Sequence, residues 1–340
     1  MDLIEAREYL KKYDGRELRL MEVCGTQTAG IRQNGILSML SDKIHMITGP
    51  GCPVCVTVTD YIDRLIRLAE DPVNVIMCFG DMLRVPGSAG SLYDAKAHGA
   101  DVRFVYSPLD MIGPAKADRE HVYIFCAVGF ETTAPVYAAL LAQAEEEGIQ
   151  NIRLLTSLKT MPRAITQVSE GIDGFLAPGH VAVIAGAGEY RRLAEKTGIP
   201  FVVSGFQGEE LLASIYALVR MAERKKGGFL NLYPQAVSEE GNEKAGAALR
   251  HYFEKGDAGW RGMGVIPDSG LYLRKDFSGY DAGSRGLIND KEAEGCRCAD
   301  IITGKIRPEE CPLFCKACTQ KHPIGACMVS QEGACYNEAL

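Results

Sequence analysis

Cysteine sets this chain apart. There are 12 in 340 residues, and they are unevenly spread. Cys24 stands in Met21-Glu22-Val23-Cys24-Gly25-Thr26-Gln27-Thr28, while Cys52 and Cys55 stand in Gly49-Pro50-Gly51-Cys52-Pro53-Val54-Cys55. Seven others, Cys296, Cys298, Cys311, Cys315, Cys318, Cys327 and Cys335, crowd one C-terminal stretch. Thiolates ligate soft metals, attack electrophiles and exchange with disulfides. The N-terminal segment MDLIEAREYLKKYDGR does not have the pattern of a secretory signal. In a large chain of that kind, clustered cysteines read as metal or redox chemistry rather than a disulfide framework.

Local context separates these cysteines. Cys24 falls where a β-rich run gives way to a helical pattern. A helix N-terminus, with its free N–H groups and positive dipole end, favours thiolate over thiol. Cys52-Pro53-Val54-Cys55 keeps two sulfurs within bonding reach, as redox dithiols do, although the same spacing serves half a zinc site. The preceding Gly-Pro-Gly lets the backbone bend sharply and leaves room for a close approach. Flanking Gly and Thr make these poor positions for packing thiols. Cys78 and Cys126, by contrast, sit inside apolar runs and are expected to be buried packing residues. In the tail, only Cys315/Cys318 or Cys311/Cys315 has the tight spacing of a zinc pair. An iron–sulfur cluster accepts four thiolates at looser spacing because it is larger than one ion. Spacing leaves iron–sulfur, zinc and neither all open, and seven thiols exceed what one cluster takes.

The elements that must position these thiols alternate. Candidate strands are Leu18–Val23, Ile44–Thr48, Asn74–Phe79, Val102–Tyr106, Val122–Val128, Ile152–Thr156 and Phe201–Ser204. Helical patterns lie between them: Tyr61–Glu70, with Ile62, Leu65, Ile66 and Ala69 on one face, then Pro135–Glu147, Arg163–Glu170 and Glu209–Arg224. Strand–helix alternation predicts an α/β fold with parallel sheets. The number of units predicts two successive sheets: a first α/β domain over 1–130 carrying the Cys24 and Cys52/Cys55 motifs, and a second over 131–255. From 256 to 340, Gly-rich and charged sequence with little periodicity predicts irregular structure leading into the cysteine tail, which needs a metal or cluster to hold its shape. Parallel strands joined by right-handed crossovers end on one side of a sheet, so Cys24, Cys52 and Cys55 are expected to line one cleft, away from Cys78 and Cys126.

Three more positions follow strands. Glu131, in Gly129-Phe130-Glu131-Thr132-Thr133-Ala134-Pro135, can line a site, with Thr132 or Thr133 capping the next helix and Pro135 in its first turn. His180, in Pro178-Gly179-His180, is a candidate proton carrier or cleft contact, or a satisfied loop histidine. Asp81 and Arg84 fit a simple ion pair. Other classes are unsupported. A net charge of -7 offers no footprint for nucleic acid or an anionic membrane. The longest apolar runs are too short to span a bilayer, and a cytoplasmic protein is expected. No Gly-x₄-Gly-Lys-Ser/Thr loop is present, and Gly186-Ala187-Gly188 has Arg191 where a dinucleotide fingerprint needs glycine.

The strings MEVCGTQT, GPGCPVCVT, CFGDMLRVPGS, ADVRFVYSPLD, GFETTAP, FLAPGHVAVI, WRGMGVI and ECPLF…CMVSQEGAC, in this order from about Leu20 to Cys335, resemble the HypD family of [NiFe] hydrogenase maturation factors. The resemblance implies two α/β domains and a third region carrying a [4Fe–4S] cluster. It further implies a complex with the small chaperone HypC, on which an Fe(CN)2CO unit is assembled with cyanide from HypE and passed to the hydrogenase large subunit. Cys24, Cys52 and Cys55 are then the functional strand-end thiols, and Cys298, Cys311, Cys318 and Cys335 the cluster ligands. Cys296, Cys315 and Cys327 are extras. Two departures stand out. Gln27 replaces the family's usual His and can neither titrate near neutrality nor ligate as imidazole does. Cys315 replaces a usual Gly and is placed to compete as a ligand.

The resulting expectation is a redox-capable assembly scaffold rather than a metabolic enzyme. Cys24 supplies a thiolate to the transient iron, and the Cys52/Cys55 dithiol passes electrons or holds the transferred group. The rivals are a freestanding thiol–disulfide oxidoreductase with an iron–sulfur cluster, and a zinc-stabilised binding protein.

Overall fold

The computed structural model describes residues 2–224 and 227–340. Among the described residues eleven strands form two sheets. They are β1 Leu18–Glu22, β2 Ile44–Thr48, β3 Asn74–Cys78, β4 Val102–Phe104, β5 Val122–Gly129, β6 Ile152–Lys159, β7 Gly174–Pro178, β8 Pro200–Ser204, β9 Gly228–Asn231, β10 Phe253–Trp260 and β11 Gly264–Leu273. The first sheet has the order β2-β1-β7-β8-β9 and is parallel throughout. The second has the order β10-β11-β6-β5-β3-β4, parallel from β6 to β4, with the β10–β11 hairpin added antiparallel on β6. This is the α/β, parallel-dominated architecture that the alternation predicts.

Why these runs become interior strands is plain in β5, Val-Tyr-Ile-Phe-Cys-Ala-Val-Gly. Seven of its eight residues are buried, as a parallel strand covered on both faces requires. Cys126 on β5 lies against Cys78 on β3, and both are fully buried. The Thr59–Ala69 helix buries Tyr61, Ile62, Leu65 and Ala69 on one stripe, the 3.6-residue period expected of it.

Three sequence expectations are corrected. The sheets interleave along the chain: β3–β6 belong to the second sheet, β7–β9 return to the first, and β10–β11 go back to the second. A division at 130 therefore cuts between β5 and β6, which pair over seven positions. Nor is the stretch after 256 wholly irregular, because Phe253–Trp260 and Gly264–Leu273 pair as a hairpin with a register shift between Gly256 and Ala258. That irregularity, together with glycines at 256, 259, 264 and 270, hides the period of two that would announce strands. Finally, the helical pattern expected over Arg163–Glu170 is only a short helix, Met161–Ile165.

The tail carries short helices at Cys298–Ile302, Ala326–Val329 and Ala334–Glu338. It is tied to the sheets by polar contacts. Arg84 donates to the Gln320 and Lys321 carbonyls at 2.9 and 2.7 Å, Ser330 donates to Asp81 at 2.8 Å, and Arg32 pairs with Glu338. Asp81 and Arg84 thus hold the tail separately instead of pairing with each other. Among the described residues no helix is long and apolar enough to cross a membrane.

Candidate functional site: strand-end thiols under a cysteine tail

Parallel pairing of β1 with β2 and with β7 brings three strand ends together. Cys24 follows β1, the Gly-Pro-Gly turn and Cys52 follow β2, and His180 follows β7. Cys24 is the extended residue preceding the Gly25–Gln33 helix. Its backbone N–H donates to the buried Glu22 carboxylate at 2.9 Å, and the Thr28 hydroxyl donates to the same carboxylate. The room left by Gly51 is taken by the Cys24 backbone, and a side chain at Gly25 would run into Glu332 of the tail. These glycines are needed for close approach.

The Cys24 sulfur lies 3.3 Å from His180 Nε2. The imidazole stacks on Phe206 at 4.7 Å between centroids, which sets its plane. Burial lowers the His180 pKa, leaving the ring neutral near pH 7. The expected thiolate character of Cys24 is corrected: burial pushes its thiol up to about 12, with Glu22 and Glu332 adding to the rise. Backbone N–H groups of the helix start pull the other way and do not win. Desolvation of a fully buried group outweighs one helix end. Gln27 is wholly buried, and its amide donates to the Ala177 and Ser204 carbonyls at 3.2 and 3.4 Å. Its Oε1 has no partner.

Cys52 and Cys55 form a disulfide, with the Cys55 N–H donating to the Cys52 sulfur at 3.1 Å. The motif shares a sheet edge with Cys24, but the lining of its small cavity includes Gly25, Cys327 and Glu332 and not Cys24. The three cysteines thus follow strands that end on one side of the sheet, as parallel pairing of β1 and β2 requires. Cys24 faces His180, while the disulfide faces the tail, with Cys55 Sγ 3.9 Å from the Ala326 carbonyl.

In the tail, Cys298 is bonded to Cys327. The free thiols Cys296, Cys311, Cys318 and Cys335 line the same cavity. Cys298 and Cys327 line it too, so the expected ligand Cys298 is taken up by Cys327 and the fourth free thiol on the cavity is Cys296. Cys315 is exposed and does not line the cavity. Its φ is +52°, a left-handed position that explains why glycine suits it. Among the described residues no three His, Cys, Asp or Glu side chains converge tightly enough to hold a single metal ion. The four free thiols form a soft donor set of the number and type a cluster takes. To that extent the residues fit one.

Glu131 sits where β5 ends, accepts from the Met161 N–H at 3.0 Å and keeps Oε2 unpartnered. Burial pushes its carboxyl up to about 7. It does not cap the following helix. Nor does Thr133, which stands at the cap position without a side-chain bond, although Pro135 is in the first turn as expected. Glu131 lines a cavity of about 350 Å³ with Arg163, Glu189 and Lys255. Sequence reasoning missed the buried Glu22 and Lys159 and the half-buried Glu332. Glu22 had one available signal, an acid two residues before a strand-end cysteine.

An α/β scaffold that gathers strand-end cysteines beneath a cysteine-rich tail defines a protein built around sulfur chemistry. Comparison with known proteins makes this specific. Residues 3–339 match the model of the HypD family, described as "Hydrogenase formation hypA family". The hydrogenase maturation factor HypD of Escherichia coli is 39% identical over 344 residues, covering 98% of this chain and 91% of that protein. HypD of Rhodobacter capsulatus is 38% identical over 334 residues, covering 94% and 88%. A putative hydrogenase expression/formation protein of Methanocaldococcus jannaschii is 38% identical over 325 residues, covering 94% and 90%. The chain belongs to the HypD family of hydrogenase maturation factors.

Proposed function

We propose that this chain is a cytoplasmic, redox-capable scaffold on which an Fe(CN)2CO group is assembled together with the small chaperone HypC. Cyanide arrives from HypE, and the finished group leaves for the hydrogenase large subunit. The observation that carries the reading is the Cys24–His180 contact of 3.3 Å at convergent strand ends. The iron of that group is cargo, and Cys24 is its ligand on this chain, since thiolate suits iron carrying cyanide and carbonyl. Ligation releases the thiol proton, and His180 Nε2 stands within reach of it. Phe206 and Gln27 hold the surrounding backbone and ring in place.

Cys296, Cys311, Cys318 and Cys335 would hold a [4Fe–4S] cluster, which supplies electron exchange when bound. Cys52, Cys55 and Cys327 line one small cavity, which sets the Cys52–Cys55 disulfide beside the Cys298–Cys327 bond. Each takes up two electrons and two protons to become two thiols. The same disulfide supports the second reading, a freestanding thiol–disulfide oxidoreductase. Infrared spectroscopy of anaerobically co-purified protein and HypC separates the two. Cyanide and carbonyl stretches that vanish in Cys24→Ser are expected, and their absence from the wild-type complex would sink the scaffold reading.

A further inference from the structure

Lys159 ends β6 and is wholly enclosed, with 3% of its surface exposed. Buried lysines are rare without an acid partner. Among the described residues no carboxylate lies within ion-pair distance of its Nζ. Instead Nζ donates to Ser157 Oγ at 2.7 Å and stands 5.7 Å from the Trp260 ring centroid. Ser157 Oγ is 3.1 Å from Thr57 Oγ1, and Thr57 Oγ1 donates to the Pro53 carbonyl at 2.8 Å. Pro53 lies inside the Cys52–Cys55 turn. Since the ammonium only donates and the carbonyl only accepts, the two hydroxyls between them have one consistent direction.

A second cation grips the same segment. Arg261 donates from its backbone to the Val56 carbonyl at 2.9 Å and from its guanidinium to the Thr57 carbonyl at 2.8 Å. Its charge is matched by Asp290 at 3.2 Å. Asp290 also accepts from the Thr59 N–H and hydroxyl at 3.1 and 3.0 Å. One buried positive charge, that of Lys159, is left without a counter-ion.

We propose that Lys159 is a positioning residue for the Cys52–Cys55 couple: through Ser157 and Thr57 it holds the turn, and its charge favours the reduced form. The inference rests on the dithiol reading of Cys52 and Cys55. Reduction breaks the S–S bond and creates sulfurs that carry negative charge as thiolate. Cys52 Sγ already accepts the Cys55 N–H, so it is the sulfur prepared for that charge. A cation joined to the turn by three hydrogen bonds in a low-dielectric interior stabilises thiolate and so makes the couple more oxidising. Burial and the Arg261 charge bring the Lys159 pKa down to about 7, so the ammonium acts on the couple below that pH and its effect fades above it.

The test is equilibration of the full chain with dithiothreitol redox buffers, followed by alkylation and mass spectrometry of the Cys52/Cys55 peptide. In this exchange the dithiol supplies two electrons and two protons: its thiols close to a cyclic disulfide as the Cys52–Cys55 bond opens to two thiols. Lys159→Met is expected to shift the exchange constant about tenfold towards the disulfide, equivalent to about 30 mV for a two-electron couple. Lys159→Arg should restore most of it. Ser157→Ala and Thr57→Val, which keep the cation and break the chain, should shift it by about threefold each, and they carry the test if Lys159→Met does not fold. An unchanged constant in folded Lys159→Met, or in both hydroxyl variants, overturns the role of Lys159. If the wild-type peptide shows no reversible two-electron transition, the dithiol reading itself fails and the inference falls with it.

Discussion

Cys24 and His180 are 156 positions apart, and the sulfur meets the imidazole at 3.3 Å because β1 and β7 are neighbours in one parallel sheet. The cysteine is buried and its thiol pKa raised to about 12. Iodoacetamide should therefore leave Cys24 largely unmodified at pH 8 under conditions that alkylate the exposed Cys315. Peptide mapping against time reads this directly. Rapid labelling of Cys24 would show that the sulfur is open and ionised.

Glu131 gives a pH signature. Burial raises its carboxyl from 4.5 to about 7, so the folded chain keeps a proton there that the unfolded chain has already lost. The stability this contributes is full below about pH 4.5 and gone above about 7. Glu131→Gln cannot lose the proton. Its stability relative to wild type should rise between pH 5 and 8, followed by denaturant midpoints. A flat difference across that window would contradict the buried, unpartnered Oε2.

Lys159 has the opposite sign. Its folded pKa is lowered from 10.5 to about 7, so between those values the unfolded chain binds the extra proton. The resulting penalty is full below about pH 7 and relieved as pH rises towards 10.5. Arg261 and Asp290 face it and contribute in opposite directions. Lys159→Met should be more stable than wild type at pH 7, with the gain shrinking by pH 10. A destabilised variant at both pH values would mean the side chain's packing outweighs its charge.

The tail separates two ligand sets. Anaerobic protein should contain about four irons and four sulfides per chain. Cys296→Ala should lose most of that content, as should alanine at Cys311, Cys318 or Cys335. Cys298→Ala and Cys327→Ala should keep it. Loss at Cys298 with retention at Cys296 would reverse the assignment. Stoichiometric zinc without sulfide would discard the cluster altogether.

Cys315 is held at φ +52° with its thiol exposed. A non-glycine residue there carries backbone strain of about 1 kcal/mol or more. Cys315→Gly should raise stability by up to about 1 kcal/mol, offset by glycine's greater unfolded entropy, and leave iron content unchanged. Iron loss on this substitution would make Cys315 a ligand.

What the sequence determined by itself was local. Apolar runs such as Val122–Val128 are strands because only burial on both faces accommodates them, and Cys24 and Cys52 stand just past strand ends because Gly and Pro break the extended runs beside them. The cysteine motifs also carried the family. The rest depended on which strands became neighbours. Gly174–Pro178 is too short and too glycine- and proline-bounded to announce itself, yet as β7 it delivers His180 to Cys24. The β10–β11 hairpin acquires its pattern only by pairing on β6, and it brings Trp260 and Arg261 to Lys159. The pairing of Cys298 with Cys327 rather than with the free thiols, and the rise of the Cys24 pKa against its helix end, are likewise tertiary. Spacing along a chain sets which groups are near in sequence, but burial and through-space partners set the charge and contacts each one has, and those arise only when distant segments pack.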